Sequence, residues 1–263
     1  MSSEAEPILR ALNAQEIPAV ASLPFRFYEA DHSTCRIIIS VNGVDKHHGV
    51  DSIGTESAAL NTYCVIDRFK PDLVISAGTA GGWSARGAVI GDVYLSDQKF
   101  VHHDRRIGIA KFSAYGIGSY PAVPVRALAR ALNVKQGIVT TSNSLDENDD
   151  DRHLIAESGG SVKDMEAAAV AYVCEMMATP VLAVKAITDL VDHPTATAEQ
   201  FTANLSMASR QLGESLLKII DFCAPRSLHP PAVPADITKS GLKRSITQYV
   251  FSAADSVPME STP

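Results

Sequence analysis

Residues 74–82 read VISAGTAGG, a short apolar run that ends in glycines. Val and Ile without polar alternation are typical of a strand that is buried on both faces. Glycines at its carboxyl end let the backbone approach a ligand closely and adopt positive φ. Ligands bind to α/β sheets at the carboxyl ends of the strands. The run matches neither GxGxxG nor GxxxxGK[ST], so a tight turn without a ligand explains it equally well on its own.

Further apolar runs of the same kind lie on both sides of this segment. They predict strands at 36–41, 72–77, 92–95, 137–141 and 181–187. Apolar and small residues at helical spacing predict helices at 55–69, 164–178 and 198–222. Strands that alternate with helices in this way predict the α/β class with a mostly parallel or mixed sheet.

The length and composition indicate one large domain followed by a different kind of segment. The chain has 263 residues, of which 46% are hydrophobic and 20% are charged, enough for one buried core and too apolar for global disorder. After Phe222 the chain becomes rich in Pro and Ser. We therefore predict a catalytic domain at 1–223 and an irregular Pro/Ser-rich tail at 224–263, in which 241–254 have the spacing of a short helix.

The net charge and the cysteine spacing indicate which classes of partner and which cellular compartment are compatible with this sequence. A net charge of −7 argues against a protein that binds the phosphate backbone of nucleic acid. The four cysteines are scattered without CxxC or metal-ligand spacing, which favours reduced thiols in the cytoplasm. No apolar run reaches the length of a membrane span, and the first residues lack the pattern of a signal peptide. We expect a cytoplasmic protein that binds neither membrane nor nucleic acid.

A second informative segment is residues 163–169, KDMEAAA. An acidic residue at the start of an apolar helix is favoured by the helix dipole. Asp164 already meets that need, so Glu166 requires another reason. A carboxylate that only accepts hydrogen bonds suits the vicinal hydroxyls of a ribose.

Two further acidic residues are candidates for proton transfer. Asp189 directly follows the predicted strand 181–187, where a partly desolvated carboxyl has a raised pKa and can hold a proton to donate. A turn-forming Asp is the alternative. Glu4, near the chain start, is explained equally well as a solvated acid when its sequence context is taken alone.

With these segments in view, the chain resembles the 5′-methylthioadenosine/S-adenosylhomocysteine nucleosidases of the purine nucleoside phosphorylase superfamily, and the plant branch in particular. The resemblance covers roughly residues 1 to 222. It is carried, in order, by 49–55 (GVDSIGT), 70–82 (KPDLVISAGTAGG), 91–93 (GDV), 103–107 (HDRRI), 163–173 (KDMEAAAVAYV) and 184–192 (VKAITDLVD). The number, order and spacing of these pieces make the assignment specific.

The resemblance implies a single-domain fold in which a mixed sheet curls into a partial barrel flanked by helices, usually as a homodimer. It also implies roles for site residues. Asp189 matches the acid that protonates adenine, and Glu4 matches the carboxylate that orients or deprotonates the attacking water. Substrate-binding positions matched by the resemblance are Thr79, Ala80, Gly81, Leu145, Met165 and Glu166.

These residue types suit hydrolysis of an N-glycosidic bond. Adenine leaves poorly as an anion, so a proton from an acid such as Asp189 assists its departure. The sugar then resembles an oxocarbenium ion, as in glycoside hydrolysis, where two carboxylates divide the work. The expected substrate is 5′-methylthioadenosine, with S-adenosylhomocysteine as a second candidate. Neither a metal nor an organic cofactor is needed.

The chain departs from the family pattern in two places. Family members carry an apolar strand just before the Met-x-x-Glu segment, whereas this sequence begins at Met1 of that segment. We therefore expect either a start further upstream or an impaired protein in which Glu4 is poorly held. The second departure is Ser142-Asn143, where the family usually has Gly-Asp.

Two other functions remain open at this point. A nucleoside phosphorylase would hold phosphate with cationic side chains, but Ser76 stands where bacterial-type phosphorylases have an arginine two residues before the Gly-[Ser/Thr] pair. Arg105 and Arg106 are unassigned. A non-catalytic homologue that only binds nucleosides is the other alternative.

Neither the paired histidines nor the acidic run predicts a metal site. His102 and His103 are adjacent on a predicted strand and so face opposite ways. Residues 146–151 lack the Gly and terminal Glu of a calcium loop, which favours a solvated acidic loop.

Overall fold

The computed structural model describes residues 1–19, 22–223 and, for the backbone, 245–247. The helices are α1 Ser2–Ala11, α2 Thr55–Phe69, α3 Ala110–Ile117, α4 Arg126–Leu132, α5 Asp149–Ser158, α6 Ala167–Met176 and α7 Thr197–Cys223. The strands are β1 Gln15–Ile17, β2 Arg26–His32, β3 Cys35–Val41, β4 Val74–Gly82, β5 Val93–His102, β6 Tyr120–Pro121, β7 Lys135–Thr141, β8 Gly160–Asp164, β9 Val181–Leu190 and β10 Ser245–Thr247.

Five strands close on themselves into a small barrel. β4 pairs with β9 in parallel, β9 with β5 antiparallel, β5 with β7 and β7 with β8 in parallel, and β8 returns to β4 antiparallel. The hairpin of β2 and β3, with β1 at its edge, extends the sheet beyond this ring. The predicted fold, a mixed sheet curled into a barrel and flanked by helices, is confirmed.

The core explains why the central strands read as continuous apolar runs. β9 is buried along nearly its whole length, with Ala183, Val184 and Ile187 inaccessible to solvent, because neighbouring strands and helices cover it on all sides. On one face α7 contributes Leu212, Leu216 and other buried residues at helical spacing. Each such aliphatic side chain stabilises the fold by roughly 1.5–3 kcal/mol.

The predicted helix at 164–178 is too long at both ends. Asp164 is the last residue of β8, where it pairs in register with Thr141 of β7, and α6 begins only at Ala167. β8 has only five residues and ends in charged side chains, so its sequence shows no clear alternation of apolar and polar residues. The strand was therefore not predicted. The correction matters for the site, because it places Glu166 at the bend between a strand and a helix.

The segment predicted as an irregular tail contributes a strand. Backbone of Ser245–Thr247 pairs in parallel with residues 36–38 of β3 and, at Thr247, with Val74 of β4. The short helix suggested at 241–254 is therefore wrong at these three residues. β3 and β4 offer unpaired backbone groups there, and β-branched residues fit a strand between them. The remainder of 224–263 lies outside the described residues, so the division at 223 stays a prediction.

β10 fills only one end of the space between β3 and β4. Further toward the carboxyl ends of these strands lies a cavity of about 70 Å³, lined by Ser40 and Asn42 on one side and by Ser76 and Gly78 of β4 on the other. Glu4 of α1 also reaches this cavity. In residues 1–19 and 22–223, none of the helices has the length and hydropathy needed to cross a membrane.

Candidate active site

A cavity of about 200 Å³ opens at the carboxyl ends of β4, β8 and β9. This is the end of the sheet at which α/β proteins bind ligands. All eight site residues predicted from the sequence line it, namely Glu4, Thr79, Ala80, Gly81, Leu145, Met165, Glu166 and Asp189. Residues far apart in the chain are thus brought together, while their individual roles remain proposals.

Asp189 lies near the end of β9 with 3% of its surface exposed. Its Oδ1 accepts a hydrogen bond of 2.8 Å from the Thr188 hydroxyl, whereas Oδ2 is buried and has no partner among the described residues. Burial raises the pKa of Asp189, and the hydrogen bond from Thr188 and the charge of Lys163 only partly oppose this. Burial therefore favours the protonated form of this carboxyl group.

Gly81 is adjacent to that carboxyl group because it is the partner of Asp189 in the pairing of β4 with β9, directly after a register shift between Ala80 and Gly81. A Cβ atom on residue 81 would lie 2.6 Å from Asp189 Oδ2 and 3.0 Å from Val191 Cγ2. Such distances are well inside van der Waals contact, so only glycine lets the backbone of β4 pass this close to the acid. The glycine-rich pattern at 74–82 is explained here by close approach rather than by a turn.

Glu4 lies in the first turn of α1 and is buried, with 9% exposed, so the interpretation as a solvated terminal acid is wrong. Its Oε1 accepts hydrogen bonds from the Thr79 backbone N–H at 2.6 Å and the Thr79 hydroxyl at 2.7 Å, and Oε2 contacts the Met1 ammonium. Burial alone would raise the pKa of Glu4, but the ammonium and the Thr79 hydrogen bonds outweigh burial and lower it. Glu4 is therefore ionised at neutral pH.

The expectation that Glu4 is poorly held is also wrong. Ile8 of the same helix is fully buried, and Pro7 packs so closely on α7 that a Cβ on Gly213 would lie 2.9 Å from its Cβ. These contacts fix the helix, and Thr79 fixes the carboxylate. Glu4 is consequently anchored from two directions.

Glu166 is the N-cap residue of α6. Its Oε1 accepts a hydrogen bond of 2.9 Å from the backbone N–H of Gly54, the residue before α2. Burial and the nearby charge of Asp164 raise the pKa of Glu166, while Lys185 and the Gly54 hydrogen bond lower it. Neighbouring Asp164 supplies the capping interaction, since its Oδ2 accepts from the Ala167 N–H at 3.0 Å. Glu166 is left to interact with a ligand.

Lys185 is a residue of the site that was not singled out from the sequence. It is 2% exposed and its Nζ lies 2.7 Å from Asp164 Oδ2. Burial lowers the pKa of Lys185, but the carboxylates of Asp164, Glu166 and Glu4 more than compensate and keep it charged. A lysine inside an otherwise apolar strand was the available signal, because such a charge is buried only when it is paired.

Lys163 holds the loop that carries Leu145 against the cavity. Its Nζ donates to the Leu145 carbonyl at 2.6 Å and forms a buried ion pair with Glu147. The acidic run at 146–151 is therefore not simply solvated, since Glu147 is 7% exposed and Asp151 pairs with Arg106. The run anchors the loop instead.

Lys185 of the adjoining smaller cavity pairs with Asp164, and the cationic groups of this larger cavity are also paired in the part of the chain that the structure describes. Among the described residues that line the larger cavity, Lys163 is the cationic side chain, and it is neutralised by Glu147, while the Met1 ammonium pairs with Glu4. Arg106 is paired with Asp150 and Asp151, and Arg105 does not line the cavity. The arrangement favours water over phosphate as the attacking group.

The two histidines face the protein interior. His102 and His103 are both buried, and burial lowers the pKa of each, to about 4 for His102. They are neutral at physiological pH. Within the described part of the chain, no three His, Cys, Asp or Glu side chains are grouped as a metal site would require.

The fold and this cavity agree with the result of comparison with known protein families. The family described as "Phosphorylase superfamily" matches residues 1–221. The chain therefore belongs to the phosphorylase superfamily.

Two relatives within that superfamily are plant nucleosidases. The chain is 41% identical to the 5′-methylthioadenosine nucleosidase of Arabidopsis thaliana over 231 residues. The matched region covers 87% of this chain and 86% of that protein. The chain is 38% identical to the 5′-methylthioadenosine/S-adenosylhomocysteine nucleosidase of the same plant, with 87% and 91% covered. The resemblance inferred from the motifs is confirmed.

Solved structures agree with the sequence comparison. The apo structure of the Arabidopsis thaliana 5′-methylthioadenosine nucleosidase superposes with a TM-score of 0.84 at 40% identity, covering 86% of this chain and 94% of that one. A structure described as an MTA/SAH nucleosidase gives a TM-score of 0.82 at 39% identity, with 84% and 92% covered.

Proposed function

We propose that this protein hydrolyses the N-glycosidic bond of 5′-methylthioadenosine, releasing adenine and 5-methylthioribose for methionine salvage. S-adenosylhomocysteine is the second candidate substrate. The observation that carries the proposal is the convergence of Glu4, Glu166 and Asp189 on one cavity, with Asp189 Oδ2 unpartnered. The plant relatives at about 40% identity support the same substrate class.

Asp189 is the proposed general acid. Its Oδ2 donates a proton to N7 of the adenine ring, and the electrons of the C1′–N9 bond move into the neutral leaving base. The raised pKa supports this role because the carboxyl group must hold its proton until the bond breaks. Gly81 leaves the space in which the purine approaches the acid.

Glu166 is the proposed ribose ligand. A carboxylate accepts hydrogen bonds from both vicinal hydroxyls, and its charge stabilises the sugar as C1′ becomes cationic. Lys185 neutralises Asp164, which otherwise opposes ionisation of Glu166. Lys185 therefore favours the ionised form of Glu166 that binds ribose, against burial and Asp164, which raise the pKa of Glu166.

Glu4 is the proposed base that orients and deprotonates water. Its lowered pKa keeps it ionised, so it can accept a proton as the water oxygen bonds to C1′. Glu4 and Glu166 also line the cavity of about 70 Å³ between β3 and β4, which is large enough for water and is lined by polar groups. Water thus has a place beside the carboxylate.

The remaining lining residues suit an adenine base and a thioether. Backbone of Thr79, Ala80 and Gly81 lies along the cavity, and Leu145 and Met165 offer apolar cover. Ile53 and Phe201 line the same cavity and were not predicted from the sequence. An apolar wall of this kind binds a methylthio group by burial rather than by hydrogen bonds.

We also propose a cytoplasmic homodimer. A run around α3 exposes Ile107, Ile109, Phe112 and Tyr115, of which Tyr115 is 65% exposed. Large apolar side chains grouped on a surface mark an interface, and a second copy of the chain is the partner that the family resemblance implies. None of the four cysteines forms a disulfide in the described residues, consistent with a reducing compartment.

The test is product analysis with and without phosphate. Purified protein is incubated with 5′-methylthioadenosine in phosphate-free buffer, and adenine and the sugar product are separated by chromatography. We expect free adenine and 5-methylthioribose at a rate that phosphate does not change. Adenine release that requires phosphate, with a sugar phosphate as product, would assign a phosphorylase. Binding without any product would assign a non-catalytic homologue.

A further inference from the structure

A second concave site shares no lining residue with the candidate active site. It is a surface cleft of about 750 Å³ whose lining includes Tyr94 and Lys135, the register partners near the amino ends of β5 and β7. The candidate active site lies at the carboxyl ends of β4, β8 and β9. A ligand in this cleft would not occupy the place of the nucleoside.

The cleft is strongly cationic on an acidic protein. Four basic side chains line it, Arg86, Arg126, Arg130 and Lys135, and no acidic side chain does so among the described residues. The whole chain has a net charge of −7. The local excess of positive charge is therefore a property of this surface and not of the composition.

Two of the four cationic side chains have no partner among the described residues. The side chains of Arg126 and Arg130 form no ion pair or hydrogen bond within the described residues, and the two residues are four apart on α4. Like charges at this spacing repel each other and destabilise a helix. An anion held between the two guanidinium groups would remove that repulsion, and guanidinium binds phosphate with paired hydrogen bonds.

The other two cations are held in place by neighbours. Arg86 donates to the Gly160 carbonyl and lies 5.4 Å over the Trp83 ring. Lys135 Nζ donates to the Gly87 carbonyl at 2.5 Å and pairs with Asp92 at 2.6 Å. A cleft with two cationic side chains held in place and two without partners is preorganised for a ligand with more than one negative group.

We propose that this cleft binds a small molecule that carries two or more phosphate groups. Its volume falls within the range of small-molecule sites, which is about 300–1,000 Å³. Arg126 and Arg130 bind the phosphates, and Tyr94 and Val134 offer an apolar surface for an attached base. The site does not depend on the proposed hydrolysis, because it shares no lining residue with the catalytic cavity.

Arg86 gives the cleft a connection to the catalytic cavity. It ends a 3₁₀ turn, Ser84–Arg86, in which the backbone N–H groups of Ser84 and Ala85 both donate at 2.8 Å to the carboxylate of Asp192. Asp192 is three residues beyond Asp189. A ligand that moves this turn would therefore act on the end of β9, so modulation of turnover is a second readout.

The test is calorimetric titration of the full chain with inorganic pyrophosphate and, separately, with a nucleoside triphosphate, both without divalent metal and at physiological ionic strength. The wild-type protein is compared with Arg126→Glu/Arg130→Glu and with the charge-matched control Lys46→Glu/Lys218→Glu, whose residues do not line the cleft. We expect a Kd of ~1 mM or below for the wild type and the control. The arginine variant should bind at least ~10-fold more weakly, because each charge-assisted hydrogen bond accounts for about that factor.

Comparison of the two probes identifies the ligand class. Tighter binding of the nucleotide would show that Tyr94 and Val134 contact a base. Equal binding of the two probes would show that the cleft recognises the phosphate groups alone. The proposal is overturned by no binding at ~10 mM, or by equal losses in the arginine variant and the lysine control. Tighter binding of a poly-glutamate peptide than of either probe would also overturn it in favour of an acidic protein segment.

Discussion

Along β4, every residue from Val74 to Gly82 has a register partner in β9, whereas Ile75–Ala80 has no other partner strand within the described residues. We call these sides the paired flank and the open flank. Asp189 belongs to the paired flank. Glu4 reaches β4 from the open flank, where its carboxylate accepts a hydrogen bond from the Thr79 N–H. The proposed acid, Asp189, therefore lies on a strand of the barrel, and we call its surroundings the leaving-group half of the site. The proposed base, Glu4, lies on α1 outside the barrel, and we call its surroundings the water half.

The difference shows how one strand serves two chemical tasks. Pairing of β4 with β9, which continues past a register shift beside Asp189, fixes the acid in a buried environment that raises its pKa. An incomplete ladder leaves backbone donors and a small polar cavity, which suit a carboxylate and a water molecule. The predictions below test the paired flank and the open flank in turn.

The largest effect is expected on the paired flank, at Asp189→Asn. The variant cannot donate a carboxylic proton to adenine, so kcat should fall ~10³–10⁴-fold, near the upper range for general acid catalysis. Steady-state adenine release measures this. The exposed Asp149→Asn serves as the control and should leave kcat unchanged. A folded Asp189→Asn variant with turnover close to the wild type would remove Asp189 from the mechanism.

The same substitution should not destabilise the fold. Burial raises the pKa of Asp189, so the folded state binds the proton more tightly than the unfolded state. Stability then falls as pH rises through the window between the ordinary and the raised pKa, so above that window this buried carboxyl group opposes folding. Asn does not ionise. The thermal midpoint of the variant at neutral pH should equal or exceed that of the wild type.

On the open flank, Glu4→Gln should lower kcat ~10²–10³-fold, because the amide cannot take a proton from water. The pH profile gives a second measure. Since the pKa of Glu4 is lowered, wild-type activity is lost only as pH falls through that low value, and the variant should lack this acidic limb. An unchanged acidic limb would assign it to another group.

Gly81→Ala tests the close contact between the paired strands. A Cβ 2.6 Å from Asp189 Oδ2 must displace the acid, and misplacement by about 1 Å costs up to ~10²-fold in rate. Gly108→Ala is the matched control, because a Cβ at residue 108 meets no atom within 4 Å. Equal activity of the two variants would show that the acid tolerates movement.

Glu166→Gln should act mainly on binding. The amide keeps one acceptor for a ribose hydroxyl but loses the charge, so KM should rise ~10-fold with a smaller change in kcat. Initial rates over a range of 5′-methylthioadenosine concentrations separate the two. A variant with unchanged KM and lower kcat would place Glu166 in the chemical step instead.

The smallest effect is expected from β10, at the end of the open flank. Ile246→Pro removes a backbone N–H and disfavours pairing with β3, which should lower the thermal midpoint by ~2–8 °C and adenine release by less than ~3-fold. Ile246→Val keeps the N–H and is the control. A loss of activity as large as that of Glu4→Gln would mean that β10 organises the water half of the site.

The sequence predicted the paired flank well and the open flank poorly. Continuous apolar runs identified β4 and β9, and the helix at 55–69 has the predicted bounds, because burial on all sides and helical spacing leave strong local patterns. Burial of Glu4 and the strand at Ser245–Thr247 depend on partners far along the chain, so no local pattern revealed them. Residues of the site were found from motif resemblance, whereas Lys185 and Lys163 were missed because their carboxylate partners are adjacent only in space.

The most direct test of the central claim, that both halves of the site act on one purine riboside, is calorimetric binding of 5′-methylthioadenosine to Asp189→Asn, with chromatography of the recovered ligand. The account predicts one site per chain, an affinity within ~10-fold of the wild-type KM, and intact nucleoside at the end, because shape and ribose contacts are retained while the proton donor is lost. Loss of binding in the folded variant, or recovery of adenine, would contradict it.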